Sequence, residues 1–309
     1  MAYSLSEINE AVRSDPKGFC QRCDEEFQKK VQTAAEKIAA HRGQSHIVLL
    51  SGPSGSGKTT TAMKIEDALE AMGVETHTVS MDNYFNTIDP ETAPRNREGA
   101  IDYESPFCLD IELLNRHFAM LDRGETIHVP KYEFARQMRS DIMSQPMHLG
   151  EDEIAIFEGI HALNDIIIGK NPNAFKLYIA ARSNVVDDGK VIFDHAWLRL
   201  CRRIVRDHKF RGSNAEFTMK MWNNVRRGEK LYISPYKENA DLMFDSSLAC
   251  EFSVLKPYVV PLLEELPRGK YPVADQILDA YEKIEGMDDT YLAPDSLARE
   301  FVGGSTYTY

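Results

Sequence analysis

The chain has 309 residues, 43% of them hydrophobic, and its 36 basic and 48 acidic side chains give a formal net charge of −12 and a pI near 5.3. This length suffices for one large domain with appendages, and the acidic balance argues against a general nucleic-acid or anionic-membrane binder. No apolar run reaches the roughly 18 residues of a membrane span and the start MAYSLSEINEAVRSD is not leader-like, so we expect a cytoplasmic protein.

Strand and helix patterns alternate along the chain, which predicts an α/β fold with a parallel sheet covered by helices. Residues 1–44 are predicted to be an N-terminal helical extension, and 45–309 the main domain. The predicted strands are 46–51, 74–81, 153–157, 175–180 and 241–245, and the predicted helices are 58–71, 109–121, 196–229 and 251–284. Two short extended runs, 126–134 and 142–149, predict an outlying hairpin.

The stretch HIVLLSGPSGSGKTT at 46–60 leads from an apolar strand into a helix. Glycines in such a loop let backbone N–H groups approach phosphate oxygens, and the helix directs its positive dipole end at the same charge. Lys58 reaches the β- and γ-phosphates, and the Thr59 hydroxyl can ligate Mg²⁺. The alternative is a plain glycine-rich turn. The predicted triphosphate site comprises Gly52, Ser54, Gly55, Ser56, Gly57, Lys58, Thr59 and Thr60.

Two acids directly follow apolar strand residues. Asp82 ends the second predicted strand and Glu158 the third. Ligands of open parallel sheets bind at the carboxyl ends of the strands, so both carboxylates are expected beside the phosphates. One can act on Mg²⁺ and the other can accept the proton of an attacking hydroxyl, although a strand-end acid can also simply cap a turn.

Aromatic residues and a carboxylate between the two acids suggest an acceptor side. Tyr84 and Phe85 closely follow Asp82, Asp102 lies in the segment IDYESP, and Tyr132 and Phe134 lie in PKYEF. Aromatic faces can stack on a base, and a carboxylate can accept hydrogen bonds from a ribose diol. The alternative is core packing for the aromatics and a helix cap for Asp102.

The segment RLCRRIVRD places four arginines at three- and four-residue spacing on one helix face. We expect these, Arg199, Arg202, Arg203 and Arg206, to belong to a basic lid over about 195–232 that neutralises the transferring phosphoryl group. A solvated face paired with acids such as Asp207 and Glu229 is the alternative.

Five scattered cysteines do not suggest a disulfide framework. Cys20 and Cys23 form a C-x-x-C, but no second ligand pair at matching spacing accompanies it, and it lies in a helical pattern rather than beside a strand. A structural role is therefore expected for them.

The chain resembles the uridine/cytidine kinase branch of the phosphoribulokinase/uridine kinase family over about residues 46–250. The resemblance rests on these motifs in this order: SGPSGSGKTT, Asp82, IDYESP, PKYEF, FEGIH and RLCRRIVRD. The segments RGSNAEFTMKMWNNVRRGEK and SLAREFVGGSTYTY look like the bacterial uridine-kinase-type proteins that often carry a TGS and threonyl-tRNA-synthetase-like region. Only about 45 mostly helical residues precede the first strand here.

The resemblance implies a P-loop NTPase-type three-layer fold with a small β-hairpin acceptor subdomain, a helical lid and C-terminal helices over about 251–301. It implies ATP and Mg²⁺ as cofactors, a nucleoside as partner, and assembly into a homo-oligomer. Asp82 would be the base for the nucleoside 5′-hydroxyl, and Asp102 would bind the ribose. The implied metal ligands are Thr59, Glu158 and Asp82. Besides Asp82, the implied catalytic residues are Lys58, Arg199 and Arg202, and Arg203 would contribute to the ATP site. The residues implied to flank the nucleoside are Tyr84, Phe85, Tyr132 and Phe134.

The sequence departs from the family where the base is read, because Gln137 replaces a histidine. An amide offers both a donor and an acceptor, so purines stay open. The expected reaction transfers the ATP γ-phosphoryl group to the 5′-hydroxyl of a ribonucleoside, uridine or cytidine. The alternatives are a same-family kinase acting on a purine nucleoside, a sugar phosphate or pantothenate, and a non-catalytic nucleotide-binding or RNA-associated module.

Overall fold

The computed structural model describes residues 2–133, 136–142 and 146–308. Its helices are α1 (Leu5–Ser14), α2 (Pro16–His41), α3 (Lys58–Ala71), α4 (Ile111–Leu121), α5 (Asp165–Ile168), α6 (His195–Phe210), α7 (Ala215–Gly228), α8 (Glu251–Glu264), α9 (Pro272–Lys283) and α10 (Arg299–Val302). Its strands are β1 (Ala2–Ser4), β2 (Ile47–Ser51), β3 (Thr76–Ser80), β4 (Ile127–His128), β5 (Tyr132–Glu133), β6 (Met138–Arg139), β7 (Pro146–Met147), β8 (Ile154–Glu158), β9 (Phe175–Ala180), β10 (Asn184–Asp187), β11 (Lys190–Phe193) and β12 (Leu242–Asp245).

The central sheet has five strands in the order β12-β9-β2-β8-β3, all paired in parallel. Glu158, the last residue of β8, lies opposite Leu50 on one side and Ser80 on the other. The carboxyl ends of β2, β3 and β8 therefore meet at one edge of the sheet, and the side chains that follow these strands come together there.

Helices cover both faces of this sheet. Successive strand residues point to opposite faces, so Val48 and Leu50 of β2 pack into one core, which includes α2, α3, α6, α8 and α9, while Ile47 and Leu49 pack into a second core with α4. Because both faces of β2 are covered, its first four residues, Ile47–Leu50, are all apolar. The predicted three-layer α/β fold is confirmed.

The N-terminal helices pack on the main domain. Phe27, Val31 and Ile38 of α2 are buried in the same core as Ile65 of α3. The break before α2 falls at Asp15, whose side chain accepts a hydrogen bond from the Gly18 N–H group at 3.0 Å. Strand β1 adds to the β10–β11 hairpin to form a second sheet, which the sequence did not predict.

The predicted outlying hairpin consists of two short antiparallel ladders. Strand β4 pairs with β7 through Ile127 and Met147, and β5 pairs with β6 through Tyr132 and Arg139. The predicted helix 251–284 is instead two helices, α8 and α9, separated at 265–271. Within the described ranges, no helix is long and apolar enough to cross a membrane.

Candidate active site

The glycine-rich loop follows β2 and precedes α3, and its glycines cannot be replaced without distortion, as Gly52 and Gly57 show. A Cβ atom on Gly52 would lie 2.0 Å from the carbonyl oxygen of Ile179. Gly57 has a φ of 78°, in the left-handed region that favours glycine, and a Cβ there would lie 2.6 Å from Leu297. The loop backbone is therefore held close to the sheet and to the C-terminal part of the chain.

Three consecutive carbonyl groups of this loop accept hydrogen bonds from outside it. Arg199 Nε donates to the Ser54 oxygen at 3.2 Å, Arg202 Nη1 to the Gly55 oxygen at 3.1 Å, and Ser246 Oγ to the Ser56 oxygen at 2.6 Å. In a trans peptide the C=O and N–H bonds point in opposite directions, so the N–H groups that follow these carbonyls turn toward the other side of the loop.

The start of α3 is suited to a phosphate chain. Its N-cap is Gly57, which supplies no side-chain hydrogen bond to the first turn. The Thr60 N–H group of that turn instead donates to the carboxylate of Glu300 at 3.4 Å, which shows that this helix end binds an anionic group. Lys58 is the first residue of the helix. The loop therefore fits the triphosphate that the sequence predicts for it.

The charges of three carboxyl groups, Glu158, Asp82 and Glu300, act on Lys58. Asp82 belongs to a single 3₁₀ turn at the end of β3, and Glu158 ends β8. Loss of hydration raises the pKa of Glu158 to about 7, an effect that Lys58 opposes and Asp82 reinforces. Loss of hydration likewise raises the pKa of Asp82 and lowers the pKa of Lys58. Two acids that repel each other at a phosphate site are suited to share a divalent cation.

Arg199 and Arg202 do not face this site as free cations, which corrects the expected catalytic role. Arg199 forms a two-point pair with Glu229, at 2.9 and 2.7 Å, and Arg202 pairs with Glu251 through two bonds of 2.6 Å. Both arginines are buried because α6 packs this side of its surface against the domain core. They support the P-loop through its carbonyl groups.

Other arginines of the same region lie nearer the phosphate site. Arg203 Nη1 donates to Ser54 Oγ at the edge of the loop, and burial lowers the pKa of Arg203 to about 10. The charges of Arg206 and Arg211 act on Asp82. The helical spacing identified Arg206 as part of the stripe, but spacing alone could not show which arginines are buried.

Asp102 is buried with its carboxylate already bound by protein donors. Arg227 donates to both oxygens, at 2.6 and 3.2 Å, and the Tyr232 hydroxyl donates at 2.9 Å. Burial alone would raise the pKa of Asp102, but these hydrogen bonds hold it below its usual value. A ribose diol at Asp102 must therefore exchange with Arg227 or Tyr232.

The aromatic residues near Asp82 differ in burial. Tyr84 is fully buried and hydrogen bonds to His117 Nδ1 at 2.8 Å, so its predicted nucleoside contact is wrong. Phe85 is half-buried and packs against Tyr132, with ring centroids 5.6 Å apart. Tyr84 thus belongs to the core, and Phe85 packs at the edge of the same core with part of its ring accessible.

The predicted base-reading residue lies at the tip of the acceptor hairpin. Gln137 is exposed in the turn between β5 and β6, with a φ of 51°. Among the described residues, no hydrogen bond joins the Gln137 side chain to Asp102. Phe134 lies outside the described residues.

His161 is a site residue that sequence reasoning missed. Its ring is 1% exposed, and neither ring nitrogen makes a hydrogen bond of standard geometry within the described ranges, although backbone groups of Tyr232 and Glu104 act on it. Burial lowers the pKa of His161 to about 4, so the ring is neutral at physiological pH. It lies 6.4 Å from the Tyr232 ring, centroid to centroid, on the acceptor side of the site. His161 is the last residue of the motif FEGIH, but the motif alone does not predict a role for it.

Glu104 offers a test of the electrostatics around Asp102. Burial raises the pKa of Glu104 from an ordinary 4.5 to about 7, because the charged carboxylate loses hydration in the folded state. The protonated side chain therefore stabilises the fold fully at pH values below 4.5, and this stabilisation is lost as the pH rises through 7. Glu104→Gln should therefore gain free energy of unfolding over the wild type as the pH rises, by about 2 kcal/mol between pH 5 and pH 8. Urea unfolding at both pH values measures this gain.

The exposed Glu238, whose side chain is 83% accessible, provides the matched control for that experiment. Glu238→Gln should show the same stability difference from the wild type at both pH values. A Glu104→Gln gain that stays constant with pH would contradict the assigned burial effect.

All five cysteines lie within the described ranges and are buried with free thiols. Hydrogen bonding to the Cys250 thiol is the main effect on Cys23, whose pKa is lowered, and Cys20 also contacts Cys250. The C-x-x-C pair thus packs α2 against the start of α8, in agreement with the structural role expected from the sequence.

The sequence model of the family described as "Phosphoribulokinase / Uridine kinase family" matches residues 47–251. A uridine kinase of Macrococcus caseolyticus is 31% identical over 201 residues, 64% of this chain and 86% of the relative. A uridine kinase of Staphylococcus aureus is 29% identical over 198 residues, with 64% and 86% coverage. A solved structure described as a possible uridine kinase from Bacillus stearothermophilus covers 71% of this chain and 100% of its own, at 17% identity and a TM-score of 0.48. The chain belongs to the phosphoribulokinase/uridine kinase family of ATP-using phosphotransferases.

Proposed function

We propose that this chain transfers the γ-phosphoryl group of ATP to the 5′-hydroxyl of a ribonucleoside, uridine or cytidine. The observation that carries the proposal is the placement of Asp82, Glu158 and Lys58 together at the P-loop. This arrangement combines a phosphate cradle with a proton acceptor. The uridine kinases among the relatives support the same acceptor.

The acceptor side favours a neutral substrate. It presents the carboxylates of Asp102 and Glu104, the neutral ring of His161, and the Phe85–Tyr132 pair. Two cations on this side are already bound to protein groups: Arg227 to Asp102, and Arg139 to Asp110 and the carbonyl oxygen of Phe85. A sugar phosphate would call for cations free to bind a second phosphate group, whereas a nucleoside needs hydrogen-bonding groups and an aromatic face.

Each group has a definite task in the proposed reaction. Asp82 accepts the proton of the attacking hydroxyl, and Lys58 together with Arg206 and Arg211 neutralises charge on the transferring phosphoryl group. Thr59, Glu158 and Asp82 would hold Mg²⁺, which when bound supplies further neutralisation of the phosphate charge. Little covalent chemistry falls to the protein, so the positions of these groups determine the rate.

A phosphotransfer screen tests the proposal. The purified chain is incubated with ATP, Mg²⁺ and each common ribonucleoside, and separately with sugar phosphates and pantothenate. We expect UMP and CMP to form fastest, and the phosphorylated or non-nucleoside acceptors to give no product. Turnover of a sugar phosphate or pantothenate alone would select a different acceptor within the family.

The same screen addresses the non-catalytic alternative. A regulatory or RNA-associated module would bind ATP, show measurable RNA affinity and phosphorylate none of the nucleosides. Absence of product with every nucleoside, in a preparation that still binds ATP, would refute the proposed kinase activity.

A further inference from the structure

The end of the chain lies beside the P-loop. We call residues Arg299–Thr308 the C-terminal segment; they lie outside residues 47–251, which match the family. A cavity of about 530 Å³ lies between this segment and α6. It is lined by Thr59 of the P-loop, by Arg206, Phe210 and Arg211, and by the C-terminal segment itself. Because Thr59 and Arg206 also belong to the phosphate site, the cavity adjoins that site.

Hydrogen bonds from several elements hold the C-terminal segment in place. The Thr60 hydroxyl donates to Glu300 Oε2 at 2.5 Å, which ties the segment to the first turn of α3. Lys209 Nζ donates to the Val302 oxygen at 2.6 Å, and Arg299 donates to the oxygens of Asp289 and Leu292 at 2.8 and 3.1 Å. The segment is therefore a fixed wall of the cavity.

The lining of the cavity combines two kinds of group. Arg206 and Arg211 supply guanidinium groups, which suit phosphate oxygens, while Glu300 supplies a carboxylate that is bound to Thr60. Phe210 and Tyr307 supply aromatic rings, and Phe210 is 58% exposed. Gly303, with a φ of 90°, packs so closely that a Cβ on it would lie 3.1 Å from the Phe210 ring.

A nucleoside triphosphate needs both kinds of group. Its charged end needs cations and backbone N–H groups, and its base needs an aromatic face to stack on and backbone groups for the base edge. A volume of about 530 Å³ is in the range of small-molecule sites, roughly 300–1,000 Å³.

We infer that the C-terminal segment and Phe210 form the subsite for the base and ribose of the donor nucleotide, with the triphosphate extending past Thr59 into the P-loop. Because the donor site belongs to the kinase proposed above, the assignment rests on that function. It deepens the function by making residues beyond the family region part of donor recognition.

Binding of ATP and of inorganic tripolyphosphate, each with Mg²⁺, separates the base subsite from the phosphate site. Phe210→Ala and Tyr307→Ala should each weaken ATP binding at least about fivefold, the lower end of what one base–aromatic contact contributes. Affinity for tripolyphosphate should stay within about twofold of the wild type, because the phosphate contacts remain. Phe217→Ala is the matched control, since Phe217 is 54% exposed on α7 and lies outside the cavity lining.

Hydrogen exchange provides a second measurement that needs no variant. Backbone amides of Gly303–Thr308 should exchange more slowly with ATP bound than with tripolyphosphate bound. Equal protection by the two ligands would overturn the assignment. An equal loss of ATP and tripolyphosphate affinity in Phe210→Ala and Tyr307→Ala would also overturn it, and so would an unchanged ATP affinity in these variants. The same holds if the wild-type chain binds ATP no more tightly than tripolyphosphate.

These readouts are independent of turnover. A chain that binds ATP through the C-terminal segment but phosphorylates no nucleoside would refute the proposed kinase activity and leave the base subsite in place. Conversely, normal uridine phosphorylation with the same ATP affinity in all three variants would refute only the subsite.

Discussion

Asp82→Asn should lower turnover of uridine with ATP and Mg²⁺ by about 100-fold or more, the range expected when a general base is lost. Asp82 lies in the 3₁₀ turn that follows β3, where the charge of Lys58 acts on it, and an amide at this position cannot accept the proton of the attacking hydroxyl. The change is nearly isosteric, so the fold should be retained. Steady-state kinetics at saturating Mg²⁺ measures the effect.

Two further variants make that result specific. Asp279→Asn, at an exposed position on α9 whose side chain is 71% accessible, should leave turnover unchanged. Glu158→Gln should instead raise the Mg²⁺ concentration needed for half-maximal rate, because it removes a proposed metal ligand. A folded Asp82→Asn enzyme with near-normal turnover would remove Asp82 from the role of base.

Arg202→Met should destabilise the fold by about 3–5 kcal/mol, the cost of leaving a buried charge without its partner. Arg202 and Glu251 are both completely buried and joined by two hydrogen bonds of 2.6 Å. Arg202 also donates to the carbonyl oxygens of Gly55 and Ser246, so its removal leaves several acceptors unsatisfied. Urea unfolding monitored by tryptophan fluorescence gives the free energy.

A double variant separates the unpaired charge from lost packing. Arg202→Met with Glu251→Leu removes both charges, and it should be more stable than Arg202→Met alone because no carboxylate is left buried without a partner. Equal stability of the single and double variants, or a loss below about 1 kcal/mol in the single variant, would contradict this account.

The sheet and the P-loop could be predicted from the sequence because their signals are local. An apolar strand, a glycine-rich turn and a helical pattern follow one another within residues 46–71, and α3 begins at Lys58 and ends at Ala71 as predicted. The strand-end rule placed Asp82 and Glu158 at one sheet edge for the same reason. Strands β1 and β10 hold at most two consecutive apolar residues and were not recognised, whereas β12, also of four residues, holds three and was predicted.

The surroundings of the site depend on contacts between distant parts of the chain. Helical spacing placed Arg199 and Arg202 on one stripe, but only the packing of α6 against Glu229 and Glu251 shows that both are buried. The proximity of Glu300 to Thr60 has no local signal, since 240 residues separate them. Neither a spacing rule nor a motif reports such pairs.

The donors that hold the P-loop carbonyl groups have a consequence for how the chain is made. They lie 145, 147 and 190 residues beyond the groups they hold, in parts of the chain that leave the ribosome much later. A nascent chain that ends before Ser246 contains the glycine motif but lacks a donor that fixes its carbonyl orientation. Loop closure over such a separation comes late in folding, so nucleotide can stabilise the nearly complete domain but cannot act as a template for its first half.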